Sequence, residues 1–266
     1  MTRPVPAYLP EVAEADAEGR VAELYADIRR VLGLPLVNLV YRHLAVEPGR
    51  LESTWRSLRP NLASRGADEA ARLLAAAAAP PPVEPLAAAA LARAGLAGDR
   101  AALARATLDT YARGNSRNLL GMWALLDGCA GGGPGAEPLD PPPPEPILPM
   151  ADLAALDRPT RELLEELSRP LVGGGPPVLV PSLLRHFAEP PLLALVREAL
   201  GPAAGGRSAR RAAVSETARG LAAALPHPVA PLAEGAGRDV AARFAGTISA
   251  LLVAGETLRA AFAAAG

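Results

Sequence analysis

The sequence predicts an all-α protein built from two homologous helical repeats packed as a pseudo-dimer. Three observations point there: an alanine- and leucine-rich composition almost without aromatics, apolar residues recurring at helical spacing between proline and glycine stops, and an Arg-His segment that occurs twice with the same punctuation around it. Half of the residues are apolar and only 3% are aromatic. Alanine is the strongest helix former, whereas the β-branched and aromatic residues that suit strands are scarce. At 266 residues the chain is long enough to bury a sizeable core.

The elements follow in order. Val21, Leu24, Ile28, Val31 and Leu32 share one face of a helix whose other face carries Arg20, Glu23, Asp27 and Arg30. Gly33 and Pro35 end it. Leu36 to Ala45 predicts a short helix stopped near Pro48-Gly49, and Leu51, Trp55, Leu58 and Leu62 mark the next. Ala67 to Ala79 predicts a helix that stops at three prolines, and Pro85 to Ala94 one that stops at Gly95. Asp99 is read as the N-cap of a long helix toward Asp127. Inside that helix, Gly114-Asn115-Ser116 joins weak helix formers and predicts a kink, or a polar group delivered into an apolar cavity.

Proline lacks the helix donor and restricts the residue before it. Gly131 to Pro149, with four consecutive prolines, therefore reads as a linker, dividing the chain into repeat 1 (1–130), linker (131–149) and repeat 2 (150–266). The second half repeats the order. Leu39-Val40-Tyr41-Arg42-His43-Leu44-Ala45 matches Ser182-Leu183-Leu184-Arg185-His186-Phe187-Ala188. Each is followed by a proline, Pro48 or Pro190, and then by an apolar helix ending at Leu58-Arg59-Pro60 or Leu200-Gly201-Pro202. Ala22 to Leu32 corresponds to Thr160 to Leu171, and Tyr111 to Leu126 loosely to Phe244 to Arg259. Of the Gly114 cluster the second copy keeps a fragment, Gly246-Thr247-Ile248-Ser249.

Composition excludes several functions. All 27 basic residues are arginine, so no lysine Schiff base or lysine general base is available. The formal net charge is −1 with both signs interleaved, which leaves no footprint for nucleic acid or an anionic membrane. The most apolar stretches are broken well short of the ~20 residues of a membrane span. The N-terminus carries acids early and has no apolar core, unlike a secretory leader. The single cysteine, Cys129, has no internal partner. These features together predict a cytoplasmic protein.

The candidate chemistry is sparse. His43, His186 and His227 have no zinc-helix spacing and no cysteine cluster joins them, so no metal site is expected. His43 and His186 hold equivalent repeat positions, which predicts a shared structural task. The glycine runs at Gly131 and Gly173 lack the context of a P-loop or dinucleotide fingerprint and read as flexible connections. Ser182 and His186 are spaced to share a helix face, without a visible orienting acid.

Several stretches resemble the DL-2-haloacid dehalogenase family: Leu24-Tyr25-Ala26-Asp27-Ile28-Arg29 leading to Leu34-Pro35, Ala45 through Pro48-Gly49 to Trp55-Arg56, Gly114-Asn115 with Leu119-Leu120, the Pro-rich linker and the Arg243-Phe244 helix. Their order and spacing carry the likeness. It implies two all-α repeats with a small-molecule site between them, and hydrolysis of a 2-halo acid by direct attack of water at C2, with no covalent ester and no cofactor. A carboxylate is needed as general base, together with a group that fixes the water. By position, Asn115 matches the family's water-positioning asparagine. The family's aspartate falls at Ser182, or at Leu183 with one gap. The aromatics of its halide pocket fall at Leu36, Leu39, Asn118 and Ala241, none of them aromatic here. Three functions stay open: hydrolysis with a relocated base (Glu189, His186 or Asp109), a different small-acid reaction or binding role, and an inactive relative. A homodimer is compatible with each.

Overall fold

Proline and glycine cut the helices largely where the sequence predicts. The computed structural model describes residues 8–172, 178–201 and 204–263, which leaves the Gly173 run and Pro202 outside the described residues. After a short 3₁₀ turn at Glu14–Asp16 come α1 (Gly19–Leu32), α2 (Leu39–Leu44), α3 (Arg50–Leu62), α4 (Arg65–Ala77), α5 (Ala88–Arg93) and α6 (Asp99–Asp127). The second half supplies α7 (Arg158–Val172), α8 (Ser182–Arg185), α9 (Pro190–Leu200), α10 (Ala204–Ala223) and α11 (Ala236–Ala261). Among the described residues β structure is confined to three isolated bridges, Tyr8–Val178, Ser64–Pro138 and Cys129–Val229. No helix among them is long and apolar enough to cross a membrane.

Local chemistry explains the ends. Gly33 closes α1 in the left-handed conformation (φ 62°) and donates its N–H to the Arg29 carbonyl. Ser64 caps α4 by accepting from the Ala67 N–H at 3.2 Å. Two expectations change here. Helical structure starts only at Leu39 and not at Leu36, after a bend at Pro35-Leu36 and an extended Asn38. Gly98 rather than Asp99 caps α6, so that Asp99 becomes an acid in the first turn, facing the positive end of the helix dipole.

The helices α6 and α11 form the centre. Every residue of α6 from Gly114 to Met122, and every residue of α11 from Thr247 to Leu258, is buried, the pattern of helices surrounded on all sides. One core joins α1–α4, the C-terminal half of α6, α10 and the N-terminal half of α11. The other joins α5, the N-terminal half of α6, α7–α9 and the C-terminal half of α11. This exchange of halves means that α6 and α11 run antiparallel. Each core also draws on residues from both sides of 131–149.

That Pro-rich segment is fastened down. The Leu139 N–H bonds the Ala63 carbonyl at 2.8 Å, the Arg65 and Gly66 N–H groups bond the Glu137 and Gly135 carbonyls, and Leu148 is buried. The glycine run beginning at Gly131 is not slack, contrary to expectation. The Gly132 N–H bonds the Pro226 carbonyl at 2.9 Å, and a Cβ on Gly133 would sit 1.8 Å from the Ala224 oxygen. Gly131 and Gly133 allow close backbone approach, and Gly132 takes a positive φ of 84° that favours glycine. Cys129 is buried beside them, its Sγ 3.1 Å from the His227 carbonyl.

Candidate functional site

Between α6 and α11 lies a small, partly open cavity with about 30 Å³ of free space, enough for a water molecule. Tyr111, Asn115 and Asn118 line it from α6, one helical face. Phe244, Thr247, Ile248 and Leu251 line it from α11, and the starts of the two short helices close it with Asn38-Leu39-Val40 and Pro181-Ser182-Leu183. No aspartate or glutamate is among the described residues that line it.

Gly114 explains how the wall is assembled. The helix runs unbroken through it, so the weak helix formers do not interrupt α6. A Cβ at Gly114 would lie 2.9 Å from Leu34 Cδ1 and 3.3 Å from both amide heavy atoms of Asn38. Glycine lets the Leu34–Asn38 segment descend onto the helix and seats Asn38 beside Asn115. The local cost of about 1 kcal/mol in helix propensity is set against that packing.

Ser182 accepts a hydrogen bond from Arg42 Nη2 at 3.1 Å. Arg42 is almost fully buried, donates through Nη1 to the Val37 carbonyl at 3.0 Å and pairs with Glu11 at 2.9 Å. Arg185, which like Arg42 precedes a histidine, reaches the same Glu11 at 3.7 Å. Two guanidiniums thus share one carboxylate behind the serine.

On the same wall the Tyr111 hydroxyl lies 3.1 Å from His186 Nε2, and His186 Nδ1 lies 2.6 Å from the Leu148 carbonyl. The carbonyl only accepts, so Nδ1 carries the proton and Nε2 receives the phenolic hydrogen. Burial lowers the His186 pKa to about 4, helped by Arg185 and Arg42 and opposed by the Leu148 carbonyl, so the imidazole is neutral at pH 7. Burial likewise holds the Tyr111 phenol well above its ordinary value, against the pull of Arg42 and Ser182.

Of the residues singled out in the sequence, Asn115, Ser182, Leu39 and Asn118 meet in this cavity, as does Leu183, the alternative aspartate position. Leu36 packs instead in the core built on α7–α9, and Ala241 lines a separate, more open groove with Val40, Met122 and Leu125. Among the candidate relocated bases, Glu189 is exposed and pairs with Arg100, and Asp109 is exposed and pairs with Arg259 at 3.3 Å. His186 is joined to the cavity only through Tyr111, and its ring nitrogens do not bond Ser182. His43 does the structural task expected of the repeated histidines: its Nδ1 holds the Pro10 carbonyl at 2.7 Å, as His186 holds that of Leu148. Among the described residues no cluster of three His, Cys, Asp or Glu could hold a metal ion.

Sequence reasoning missed Tyr111, Arg42 and Asn38. Asn38 carried a usable signal, because asparagine before a short helix ordinarily caps it, whereas this side chain makes no capping bond. The repeated arginine of the Arg-His segment was a second signal.

Comparison with known proteins adds the following. No family model matches the chain. A configuration-inverting 2-haloacid dehalogenase of Alcaligenes xylosoxydans xylosoxydans is 39% identical over 66 residues, 25% of this chain and 22% of that protein. An (R)-2-haloacid dehalogenase of Pseudomonas putida is 41% identical over 49 residues, 18% of this chain and 16% of that protein. The matched stretches thus span less than a quarter of either relative. Solved structures match along nearly the whole length. A D-2-haloacid dehalogenase mutant superposes with a TM-score of 0.76 at 18% identity, covering 98% of this chain and 97% of that one. A mutant complex with D-2-CPA gives 0.74 at 19% identity over 100% and 97%, and a complex with L-LA gives 0.74 at 17% over 100% and 98%. The all-α fold is that of the D-2-haloacid dehalogenases, and the local sequence matches agree with it.

Proposed function

We propose that this chain, a divergent relative of the 2-haloacid dehalogenases, takes a small 2-halo acid into the α6–α11 cavity, whose side chains move apart to admit it, and hydrolyses it by attack of water at C2. The observation that carries the reading is the meeting of Asn115 and Ser182 in one largely apolar cavity, in a fold shared with D-2-haloacid dehalogenases.

In this mechanism Asn115 positions the water. The water oxygen bonds to C2 as the carbon–halogen bond breaks, and the halide leaves with the bonding electron pair. The water's proton passes to the Tyr111 oxygen while Tyr111 gives its own to His186 Nε2. His186 is the one candidate base connected to the cavity, and its neutrality leaves Nε2 free to take a proton. An imidazole held so far below its ordinary pKa is a weak base, which makes turnover slow.

The same reading takes 1–130 and 150–266 as two copies joined by 131–149, with the cavity between them, in a cytoplasmic protein that needs no cofactor. The paired use of His43 and His186, each against an aromatic ring of the opposite central helix (Phe244 at 5.8 Å, Tyr111 at 5.4 Å), supports the duplication. So does the presence of both Leu39 and Ser182, matched positions of the two copies, in the cavity wall.

The test is chloride release from racemic 2-chloropropionate by the purified protein. Chloride and 2-hydroxypropionate appearing in equal amounts is the expected result, with inversion at C2 read from a single enantiomer, and no chloride above background overturns hydrolysis. The absence of any carboxylate from the described wall favours a second reading in that event, a family member that binds or transforms another small acid.

A further inference from the structure

We propose that the cavity takes its ligand as a carboxylate anion, gripped by the side-chain amides of Asn118 and Asn38 and drawn by the surplus positive charge of Arg42 and Arg185 behind Ser182. This rests on the small-acid reading above and assigns the acid group to particular residues.

The Asn118 amide is locked in one orientation. The Tyr41 hydroxyl is fully buried and donates to Asn118 Oδ1 at 2.8 Å. A buried phenol needs an acceptor, so the oxygen must face Tyr41 and the nitrogen must face away. That nitrogen has no partner although Asn118 is 1% exposed, and the residue lines the cavity. An unmatched buried donor costs about 1–3 kcal/mol, a cost that a ligand acceptor removes. The position matches an aromatic in the family resemblance, so a donor here is a property of this chain.

Asn38 places a second incompletely bonded amide at the cavity. It stands where a side chain normally caps a helix and makes no capping bond, its Oδ1 is buried without a partner, and Gly114 exists in α6 to let it approach. Amide oxygen and nitrogen are interchangeable by rotation, so Asn38 can turn its NH₂ to an anion.

The charges agree. Arg42 and Arg185 share Glu11 alone. Of the neighbouring acids, Glu14 is engaged with Arg29 and Asp152 is exposed, where solvent screens it. One guanidinium charge is left over at low dielectric, where it acts strongly, and Arg42 delivers it through its bond to the Ser182 hydroxyl. With no acid in the described wall nothing repels an anion. Leu39, Val40, Phe244 and Ile248 then take the apolar end of the ligand.

The experiment is a nuclear magnetic resonance titration of the full-length protein at pH 7 with 2-chloropropionate and with 2-chloropropionamide, which have nearly the same shape and differ in charge. The acid binding at least tenfold tighter than the amide is expected, with Asn118→Leu weakening the acid about tenfold and leaving the amide almost unchanged. Arg185→Gln, at the outer edge of the charge cluster, gives the same selective loss and serves if Asn118→Leu fails to fold. Equal binding of acid and amide, or no binding of either, overturns the proposal. Selective acid binding without chloride release leaves the proposal standing and removes hydrolysis. Chloride release with equal binding of the two ligands removes the proposal and leaves hydrolysis.

Discussion

Replacing Gly114 by alanine separates two explanations of the polar cluster in α6. If glycine were merely a weak point in the helix, Gly114→Ala would gain about 1 kcal/mol of helix propensity. The structure predicts the opposite sign. The added methyl would sit 2.9 Å from Leu34 Cδ1 and 3.3 Å from the Asn38 amide, and both residues are buried with little room to retreat. Overpacking of this kind costs about 1–3 kcal/mol. Subtracting the propensity gain leaves a net loss of about 0–2 kcal/mol, centred near 1. Urea unfolding at 25 °C reads this as a lower midpoint with an unchanged slope. Because Asn38 must shift to admit the methyl, binding of 2-chloropropionate weakens in the same variant. A stabilisation near 1 kcal/mol with unaltered binding would refute the close-approach argument.

Other outcomes follow from the same geometry. His186 refuses a proton when folded (pKa about 4 against an ordinary 6.5), so between those values the unfolded chain binds more protons than the native one. Stability is therefore full above about pH 6.5 and falls as pH drops toward 4, by about 3 kcal/mol at 1.36 kcal/mol per pH unit. His186→Gln should flatten this part of the stability–pH curve, and an unchanged curve would count against it. Arg117 is buried and bonds Asp68 at 2.8 Å and the Val31 carbonyl at 3.2 Å. Asp68→Asn strips the charge partner from a buried cation and should cost about 3 kcal/mol in urea; a neutral effect there would show the pair to be idle. For Asn115→Ala the expectation is a fall in turnover of about a hundredfold through loss of positioning with little change in melting, and an unchanged rate would displace the proposed water site. Tyr111→Phe should slow turnover with KM nearly constant if the phenol passes the proton, whereas parallel changes in both would mark it as a wall residue.

Much of the architecture was legible in the chain because its signals are local. Gly33 ends α1, Gly49 precedes α3 and prolines follow α4, although α3 runs through Pro60 to Leu62; helical spacing marks their buried faces, and the similar Leu39–Ala45 and Ser182–Ala188 segments contain α2 and α8. The site was legible in part. Asn115 and Ser182, singled out by position, both line the cavity, but nothing in sequence order shows that Leu36 turns into the core while Leu39 faces the cavity, since the non-helical stretch before α2 removes the helical periodicity that would phase them.

What the sequence by itself determined is therefore the helical character, its punctuation, the absence of lysine chemistry and the residue types on offer. Only the tertiary structure decided which polar groups share a space. Arg42 meets Ser182 and Tyr111 meets His186 across sequence separations of 140 and 75 residues, and such contacts depend on where α8 is set against α2 and α6. The tertiary structure also decided the protonation state of His186 and the orientation of the Asn118 amide, because burial and the single available partner set both. The Gly114 cluster shows the difference most plainly. In the sequence it reads as a flaw in a helix, and in the folded chain it is the place where a neighbouring segment, carrying Asn38, is allowed to touch.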